Sequence, residues 1–360
     1  MKICVIGTRG FPNIEGGVET HCEKLYDLLS KKHQIIVFRR KPYVDKSIEK
    51  TNNITFVDLP STKIKGFETI FHSFISTINA IIIKPDIIHY HNTGPAIFSF
   101  LINKKKIKIV LTYHSANYEH NKWNYISRKI IKLSEYIATR KADQIIVVNE
   151  RLKNKFSKKT QNICVTIPNG IEKAHLTDKT NILDENELIK NKYILTVGRI
   201  VPEKGIDVLI NAFNKLKNRN YKLVIVGKIK TKDKYYKYLK SISNNENIVF
   251  LDFLKGEDLY QIYQNARLFV LSSRNESSPF VILEAMSYGL DVLLSNIPNL
   301  MEFNHLTNNY FISENVEDLK IRLEEILEKN HDTRIDYDLN MYKWSTIAKK
   351  TEEVYFKVKQ

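Results

Sequence analysis

LFVLSSRNESSPFVILEAMSYGLDVLL, residues 268–294, is the stretch that decides the fold of this chain. The apolar run Leu268–Leu271 predicts a strand, a polar loop follows it, and a helix then ends at Gly289 before a second apolar run. Ser278 and Pro279 predict the N-cap and the first helical residue, because a serine hydroxyl accepts a free amide and proline lacks one. The succession of strand, loop, helix and strand is typical of an α/β protein with a parallel sheet.

Two carboxylates stand at the start of this predicted helix. Glu276 lies just before the helix and Glu284 lies within it. The free backbone amides of a helix N-terminus favour an anion, so the arrangement suits a ligand that has both phosphate and hydroxyl groups. The stretch alone also fits a simpler interpretation, in which Glu276 complements the helix dipole and Glu284 faces solvent.

The composition describes an ordinary globular protein with two domains. The chain has 360 residues, of which 43% are hydrophobic and 27% are charged, and a domain usually takes about 150 residues. Three cysteines without a paired motif argue against a disulfide framework or a zinc site and fit a reducing cytosol. The first apolar run is too short for a signal peptide, and polar residues interrupt the apolar segment 69–83, so no membrane-spanning helix is predicted.

Positive charge is concentrated in the first half of the chain. Residues 1–180 hold 30 lysines and arginines against 15 acidic residues, whereas residues 181–360 hold 26 against 25. A basic bias of the whole composition would affect both halves, so the excess favours a docking surface for an anionic partner such as phospholipid headgroups. Nucleic acid is disfavoured as that partner, because no recognised nucleic-acid-binding module accompanies the charge.

Strands and helices alternate along the first half. The run Lys2–Gly7 predicts a strand, and the glycines after it end in Gly16 and Gly17, where an amphipathic helix begins. A strand, a glycine loop and a helix start can bind a phosphate, and they also form a tight turn in proteins that bind none. Two later strands lead into His91 and His114, and ligands of parallel sheets lie beyond the carboxyl ends of the strands. A lone histidine at such a position also occurs as a structural residue.

The second half repeats the alternation after a polar stretch. Residues 175–192 lack apolar periodicity and predict the linker between the domains. Arg199 and Lys204 follow the next strand, and two cations five positions apart on such a loop suit a pyrophosphate, although a solvated turn has the same pattern. Residues 344–358 predict a final helix capped by Ser345, with one apolar stripe that needs a surface to cover it.

Eight stretches of the chain together resemble one family. They are GTRGFPNIEGGVET (7–20), YHSANYEHNKW (113–123), ADQIIVVNE (142–150), IPNGI (167–171), VGRIVPEKGIDVLI (197–210), IVFLDF (248–253), ESSPFVILEAMSYG (276–289) and WSTIAKKTEEVY (344–355). The chain resembles the family-four retaining glycosyltransferases, and the resemblance covers essentially all of it. It implies the GT-B fold, α/β with two Rossmann-like doubly wound parallel-sheet domains that face a cleft. The domains would span 1–174 and 193–340 around the linker 175–192, and the C-terminal helix, 341–360, would cross back to the first domain.

The resemblance also implies roles for the matching residues of the first domain. Gly16 and Gly17 would lie against the phosphates of the donor. His114 would contact the transferred sugar, and Asn169 would belong to the substrate-binding set.

In the second domain the resemblance implies a complete donor site. Arg199 and Lys204 would hold the diphosphate leaving group, Glu276 would touch the sugar, and Glu284 would bind the ribose hydroxyls. Three further substrate-binding residues would lie near the nucleobase or the phosphates: Phe253, Phe280 and Val281. No metal and no other cofactor is expected, because the two cations and the helix start would neutralise the departing diphosphate.

The chain departs from the family pattern at three positions. Ser277 and Pro279 stand where the family has glycines between the two glutamates, and Asp291 stands where it often has proline. These differences concern the local backbone, and none of them removes a charged group with an implied role.

The resemblance therefore implies a metal-independent, retaining hexosyltransferase. Its donor would be a nucleotide-diphosphate sugar, and its acceptor would be a hydroxyl of a polyprenyl-linked saccharide in capsule, O-antigen or exopolysaccharide synthesis. We expect it in the cytoplasm, associated peripherally with the inner face of the membrane through its basic first domain. Two alternatives stay open, a nucleotide-sugar epimerase of related fold and a basic polyanion-binding protein. The donor sugar, the acceptor and the linkage are not predicted.

Overall fold

A computed structural model describes residues 1–44, 50–51, 53–62, 64, 67–116, 125–217, 220–243, 246–329 and 334–360, of which residues 50, 51, 126 and 127 are described by their backbone alone. The chain divides into two compact units. The first comprises residues 1–170 together with 341–360, and the second comprises residues 171–340. Within the described ranges, no helix is both long enough and apolar enough to cross a bilayer.

The strands are β1 (Lys2–Ile6), β2 (Gln34–Arg40), β3 (Lys50–Thr51), β4 (Ile54–Leu59), β5 (Ile87–His91), β6 (Lys108–Tyr113), β7 (Gln144–Val147), β8 (Cys164–Thr166), β9 (Tyr193–Val197), β10 (Lys222–Val226), β11 (Ile248–Leu251), β12 (Leu268–Leu271), β13 (Asp291–Ser295) and β14 (Tyr310–Phe311). The α-helices are α1 (Gly17–Leu29), α2 (Phe67–Ile83), α3 (Tyr125–Lys141), α4 (Glu150–Asn154), α5 (Lys158–Gln161), α6 (Asn181–Glu185), α7 (Ile206–Asn214), α8 (Lys234–Ile242), α9 (Glu257–Asn265), α10 (Phe280–Ser287), α11 (Val316–Glu328) and α12 (Trp344–Lys359).

The first unit is built on one sheet. Its described strands lie in the order β3-β4-β2-β1-β5-β6-β7-β8, and neighbouring strands pair parallel except β3 and β4. The central strands are almost entirely buried, since helices cover a parallel sheet and the strands consequently read as continuous apolar runs. The predicted doubly wound parallel sheet is confirmed for this unit.

The final helix belongs to this first unit, because α12 packs against α1. Its buried side includes Ile347, Thr351, Val354 and Tyr355, which are residues of the predicted apolar stripe. The predicted cap was wrong. The helix already begins at Trp344, with Lys343 in the N-cap position, so Ser345 lies inside the first turn.

The second unit has a parallel sheet of its own. Its described strands lie in the order β11-β10-β9-β12-β13-β14. Residues 175–192, predicted as a linker, lie inside this unit and include α6. Buried Ile182 and Leu183 fix α6 against α9, where the Ile182 amide donates to Oε1 of Gln261 at 3.2 Å. Two adjacent apolar residues suffice for one helical turn and are too few to produce a periodicity.

Residues 268–294 fold as predicted except at the start of their helix. The strand is β12, and Gly289 follows the helix with φ 68°, a left-handed conformation that glycine adopts without steric cost. However, α10 begins at Phe280, and Pro279 takes the N-cap position with an extended backbone. Ser278 therefore lies before the N-cap and was wrongly predicted to occupy it.

The sequence of the first half carries three further predictions: a helix at 96–103, a polar, aromatic loop after His114 of the kind that lines a sugar site, and a basic helix that begins at Trp123. The helix predicted for 96–103 is a 3₁₀ helix, Pro95–Leu101. The polar, aromatic loop after His114, predicted to line a sugar site, lies outside the described residues from position 117 to position 124. The helix predicted to begin at Trp123 is described from Tyr125 onward.

Candidate active site

In the second unit, the direction in which the chain adds strands to the sheet reverses between β9 and β12. The chain extends the sheet from β9 through β10 and β11, and from β12 it continues on the other side through β13 and β14. The connections that leave two such neighbouring strands run to opposite sides, so a crevice opens at their carboxyl ends. Residues that directly follow β9 and β12 are therefore well placed to bind a ligand.

Lys204 and Glu276 follow β9 and β12 and form an ion pair at this crevice. The Lys204 ammonium donates to Oε1 of Glu276, and the hydroxyl of Ser273 donates to the same oxygen at 2.6 Å. Only 15% of the lysine side chain and 10% of the glutamate side chain are exposed. Asn299 donates from Nδ2 to the main-chain oxygen of Glu276. Both the carboxylate and the backbone of Glu276 are therefore held in place.

The loop that carries Lys204 depends on the glycine after it. Gly205 has φ 60°, and a Cβ at this position would lie 2.1 Å from the main-chain oxygen of Ser272, at the end of β12. The hydroxyl of Ser272 in turn donates to the Gly205 oxygen at 2.8 Å. Because any side chain at Gly205 would push the two loops apart, this glycine fixes the lysine relative to β12.

Arg199 leaves the end of β9 with an exposed side chain. Within the described part of the chain, its guanidinium forms neither a hydrogen bond nor an ion pair. Its charge is therefore available to an anion that reaches the same edge of the sheet.

Glu284 lies partly buried in α10, next to a tyrosine that the sequence analysis missed. The hydroxyl of Tyr263 in α9 donates to Oε2 of Glu284 at 2.8 Å, and the Tyr263 ring stacks on that of Tyr288 at 5.6 Å. Burial raises the pKa of Glu284 above its ordinary value. The interpretation in which Glu284 faces open solvent is therefore wrong. One carboxylate oxygen is held by Tyr263, which leaves the other to accept from a ligand.

The end of β11 and the start of α10 carry the remaining predicted residues of this unit. Asp252 accepts hydrogen bonds from the amides of Ile229 and Phe253 at 2.9 and 2.7 Å, and these bonds lower the pKa of its carboxyl. The Phe253 side chain stays 48% exposed, as an apolar ring that a ligand can cover. Phe280 and Val281 form the first turn of α10 and are partly buried.

A histidine cluster lies at the corresponding edge of the first unit. The sheet changes direction between β1 and β5, His91 ends β5, and His114 directly follows β6. Nδ1 of His91 and Nε2 of His114 are 3.0 Å apart, and the ring of His21, from α1, stands edge-on to His114 with 4.8 Å between centroids. His91 was noted at this edge from the sequence, whereas His21 was not.

Tyrosines extend the histidine cluster into the interior of the unit. The Tyr26 hydroxyl lies 2.7 Å from Nε2 of His91 and 2.9 Å from Nδ1 of His89. His89 is also bonded to the hydroxyl of Tyr355 at 2.6 Å, and through Nε2 to that of Thr112 at 2.7 Å. Only the His-x-His spacing at the end of β5 hints at this network in the sequence, since its other members are far apart along the chain.

Burial keeps the clustered histidines neutral. It lowers the pKa of His21 to about 4 and that of His89 to about 3. It also holds the pKa values of His91 and His114 well below 6.5, and the neighbouring histidines lower them further. Each imidazole therefore carries a single proton at neutral pH and can either donate or accept at each nitrogen.

The hydrogen bonds couple the proton of Tyr26 to that of His114. If His91 donates from Nδ1 to His114, then Nε2 of His91 accepts from the Tyr26 hydroxyl. If His114 donates instead, then Nε2 of His91 carries the proton and donates to Tyr26. The first arrangement makes Nδ1 of His114 a donor, and the second makes it an acceptor. Tyr26 therefore bears on what His114 offers to a ligand.

His21, His91 and His114 are also the residues that could hold a metal. Among the described residues they form the one such group, with one nitrogen from each lying within 4.8 Å of the others. Neutral imidazoles suit zinc or another transition metal. However, the bonded nitrogens of His91 and His114 share a proton that a metal would have to displace. The expectation that no metal is needed stays a prediction.

The glycine pair and the IPNGI turn both adjoin this histidine cluster. Gly16 precedes α1, and Gly17 is its first residue. A Cβ on Gly16 would lie 2.1 Å from Oε2 of Glu19, whose other oxygen accepts from Arg9 at 3.1 Å. Oδ1 of Asn169 lies 3.1 Å from Nδ1 of His21, so the structure connects Asn169 to α1.

Two family models together cover most of the chain. Residues 15–175 match the model described as Glycosyltransferase Family 4, and residues 178–344 match that described as Glycosyl transferases group 1. The chain belongs to the glycosyltransferases. This glycosyltransferase is 27% identical, over 99% of its length, to 98% of an uncharacterized glycosyltransferase, MJ1607, of Methanocaldococcus jannaschii. It is 28% identical, over 48% of its length, to 48% of the capsular polysaccharide biosynthesis glycosyltransferase CapM of Staphylococcus aureus.

Solved structures share the fold of this glycosyltransferase. Sucrose-phosphate synthase of Thermosynechococcus elongatus matches with a TM-score of 0.83 at 18% identity, over 99% of this chain and 98% of the other. HepE of Anabaena, solved in complex with UDP-glucose, matches with a TM-score of 0.77 at 17% identity, over 99% of this chain and all of the other. At these identities the likeness concerns the fold alone. The predicted GT-B class, with two Rossmann-like parallel-sheet domains, is confirmed.

Proposed function

We propose that the protein is a retaining glycosyltransferase. It moves a hexose from a nucleotide-diphosphate sugar to a hydroxyl of a polyprenyl-linked saccharide, in the synthesis of a capsule, O-antigen or exopolysaccharide. The observation that carries the proposal is the Lys204–Glu276 ion pair at the crevice between β9 and β12. The name of CapM, a capsule glycosyltransferase, and the UDP-glucose complex of HepE support the pathway and the donor class.

In this proposal the second unit binds the donor. Lys204 acts as a compact charge on the diphosphate, and Arg199 adds a planar fork of donors. The amides of Phe280 and Val281, at the start of α10, add the positive end of the helix dipole. These groups stabilise the charge that develops on the leaving diphosphate, so the reaction needs no metal.

The carboxylates and an exposed ring bind the rest of the donor. Glu284 accepts from the ribose hydroxyls with the oxygen that Tyr263 leaves open, and Phe253 covers the nucleobase. Glu276 accepts from a hydroxyl of the transferred sugar. Because Lys204 and Ser273 both donate to Oε1 of Glu276, this carboxylate is a positioned acceptor and a poor nucleophile.

The first unit serves the sugar and the acceptor. His114 contacts the transferred sugar, Gly16 and Gly17 approach the phosphates, and Asn169 acts through its bond to His21. The acceptor hydroxyl attacks the anomeric carbon on the side from which the diphosphate leaves. The bond from that carbon to the phosphate oxygen breaks, the bond to the acceptor oxygen forms, and the hydroxyl proton passes to a phosphate oxygen.

The excess positive charge of residues 1–180 supports peripheral association with the anionic, cytoplasmic face of the membrane. A polyprenyl-linked acceptor is presented at such a surface. The location and the acceptor are therefore parts of one proposal.

A donor screen tests the proposed function. Purified protein is incubated with UDP-, GDP- and dTDP-sugars, with and without EDTA, and release of the nucleoside diphosphate is measured by phosphorus NMR. We expect slow hydrolysis of one donor class, unaffected by EDTA. The absence of both hydrolysis and calorimetric binding for every donor would contradict the proposal, and isomerisation of the sugar without acceptor would indicate an epimerase.

A further inference from the structure

Helix α2 has its apolar and polar sides reversed. A helix on the surface of a globular protein normally buries its apolar stripe and exposes its polar residues. In α2 the buried residues are His72, Ser73, Ser76, Thr77 and Ala80. The exposed residues are apolar, and their exposed fractions are 53% for Phe67, 43% for Phe74, 36% for Ile78 and 71% for Ile82.

The buried polar residues of α2 have hydrogen-bond partners, both within the helix and in the sheet. The hydroxyls of Thr77 and of Tyr90 in β5 are 2.9 Å apart. Within the helix, the hydroxyl of Ser76 lies 3.3 Å from Nδ1 of His72. Burial lowers the pKa of His72 to about 4, which keeps this ring neutral in its packed position. Rotating α2 to bury its phenylalanines would break the bond between Thr77 and Tyr90 and would expose the polar side that is now buried, so these contacts favour the orientation in which the apolar stripe is exposed.

The apolar surface continues onto the neighbouring elements. The 3₁₀ helix Pro95–Leu101 contacts both α2 and α3, and the rings of Phe74 and Phe98 pack edge to face at 5.2 Å. The exposed apolar side chains are Phe100 and Leu101 in the 3₁₀ helix and Tyr125, Ile130, Leu133 and Tyr136 in α3. We name these residues, together with the exposed stripe of α2, the α2–α3 face.

Positive charge accompanies the α2–α3 face. The exposed cations of α3 are Arg128, Lys129, Lys132 and Arg140, and two more, Lys105 and Lys106, follow the 3₁₀ helix in the chain. Two of them lie over aromatic rings of the face, Lys129 over Tyr125 and Arg140 over Tyr136. Basic residues next to exposed aromatic rings are typical of helices that lie in the interface of a bilayer.

The acidic residues of the same helices point inward. Glu68, the acidic residue of α2, accepts from the hydroxyl of Tyr43 at 2.6 Å, and Glu135 of α3 accepts from the hydroxyl of Tyr113 at 2.6 Å. The outward surface of the two helices therefore combines apolar groups with cations.

We infer that the α2–α3 face inserts its apolar side chains into the acyl-chain boundary of an anionic bilayer. Its cations then lie among the headgroups, where each Lys or Arg adds attraction to anionic lipid. A second copy of the chain is a poorer occupant, because pairing this face with itself would bring two sets of cations together. The inference rests on the proposed function for the side of the membrane, and it replaces simple adsorption by charge with insertion at a defined surface.

The test compares two pairs of exposed isoleucines. Ile78→Asn with Ile82→Asn removes apolar groups from the α2–α3 face, and Ile189→Asn with Ile321→Asn removes comparably exposed groups (70% and 48%) from the second unit. Binding is measured by co-sedimentation with phosphatidylcholine vesicles that contain about 30% phosphatidylglycerol as the anionic lipid. We expect the first pair to lower the partition coefficient at least about tenfold and the second pair to leave it unchanged.

A probe on the face distinguishes insertion from adsorption. The three native cysteines are buried, so an Ile82→Cys variant can be labelled selectively with a polarity-sensitive dye. We expect a blue shift of its emission on anionic vesicles that persists at moderate salt. Vesicle binding without a blue shift, equal binding by both isoleucine pairs, or lipid-free dimerisation that Ile78→Asn with Ile82→Asn abolishes would each overturn the inference.

Donor hydrolysis without vesicles separates this inference from the proposed function. If the first isoleucine pair hydrolyses the donor normally and still binds vesicles like the unaltered protein, the inference fails while the function stands. If vesicle binding falls as expected and no variant hydrolyses any donor, membrane insertion by the α2–α3 face is supported and the proposed reaction is contradicted.

Discussion

The two sheet edges that carry candidate functional residues, one in each unit, differ in how their side chains hold charge. In the first unit, burial removes the charge from His91 and His114, and His91 is hydrogen-bonded both to Tyr26 and to His114. In the second unit, Lys204 and Glu276 are nearly as well shielded but are paired with each other. The parallel sheet thus decides where functional side chains stand, whereas burial and partners decide their chemistry. An uncharged edge suits sugar hydroxyls, and an ion-paired edge suits a diphosphate.

Acidification should produce the largest difference between the two units. The folded-state pKa values of His21, His89, His91 and His114 lie below the ordinary 6.5, so the unfolded chain takes up protons first as pH falls. The stability that these residues contribute is complete above about pH 6.5 and is lost toward pH 4. Each histidine lowers the free energy of unfolding by up to about 1.4 kcal/mol per pH unit in this range, and the four together lower it by several kcal/mol.

Hydrogen exchange followed by mass spectrometry can check this acid response. Peptides from residues 1–170 should lose protection between pH 6.5 and 5, while those from 171–340 keep it, since His175 and His305, the described histidines of the second unit, are exposed. Loss of protection at the same pH in both units would contradict the expectation.

Removing the charge of Lys204 should have the next largest effect. Lys204→Ala takes one donor from the diphosphate and leaves Glu276 shielded without its cation, so we expect kcat/KM for the donor to fall about 10²- to 10³-fold. Lys215→Ala is the matched control, because Lys215 also forms an ion pair, with Glu317, on the exposed surface of the same unit. Equal activity of the two variants would remove Lys204 from the site.

Tyr26 tests the neutral edge with a smaller change. Tyr26→Phe removes the hydroxyl that bonds His89 and His91, and Tyr90→Phe removes another buried hydroxyl of the first unit, which bonds Thr77. Each should lower the free energy of unfolding by about 1–3 kcal/mol. Because Tyr26 alone is coupled to His114, only Tyr26→Phe should also lower kcat and shift its pH profile. Parallel behaviour of both variants would show a purely structural role for Tyr26.

Glu284→Gln should give the smallest effect, and one of opposite sign for stability. Burial raises the pKa of Glu284, so the stability that its protonated form contributes is present below the unfolded pKa of about 4.5 and is lost as pH rises through the folded value. Glutamine keeps an acceptor for Tyr263 and carries no charge. Calorimetry should show a slightly higher unfolding temperature at pH 7, no difference at pH 4, and weaker binding of the nucleotide. A lower unfolding temperature at pH 7 would argue that the buried, ionised carboxylate of Glu284 does not destabilise the fold.

The sequence predicts the sheets well because their signal is local. The run Leu268–Leu271 has the predicted bounds as β12, and the strands predicted to lead into His91 and His114 are β5 and β6, since strands buried on both faces are continuous apolar runs. Capping residues were less predictable. Ser278 and Ser345 have the right chemistry for caps, but α10 begins two residues after Ser278 and α12 begins one residue before Ser345.

The site was predictable only where its residues belong to compact motifs. Lys204 and Glu276 are 72 residues apart and were both named, because each lies in a recognisable loop after a strand. Tyr26 and Tyr263 were missed, because a buried tyrosine in an amphipathic helix looks the same in the sequence whether it packs in the core or bonds a functional side chain. The reversal of α2 was equally hidden, because an apolar segment does not reveal which of its faces the sheet will bury.

The contact between Gly170 and Trp344 has a consequence for how the chain can be divided. A Cβ on Gly170 would lie 2.3 Å from the indole ring of Trp344, so the point where the chain leaves the first unit touches the point where it has just returned. Residues 171–340 are therefore an insertion whose two ends are close together, and excision needs only a short bridge, since each residue spans up to about 3.6 Å. Residues 1–170 joined to 341–360 through such a bridge should fold as a shortened, continuous protein, which would allow the neutral edge to be studied in a molecule without the charged edge.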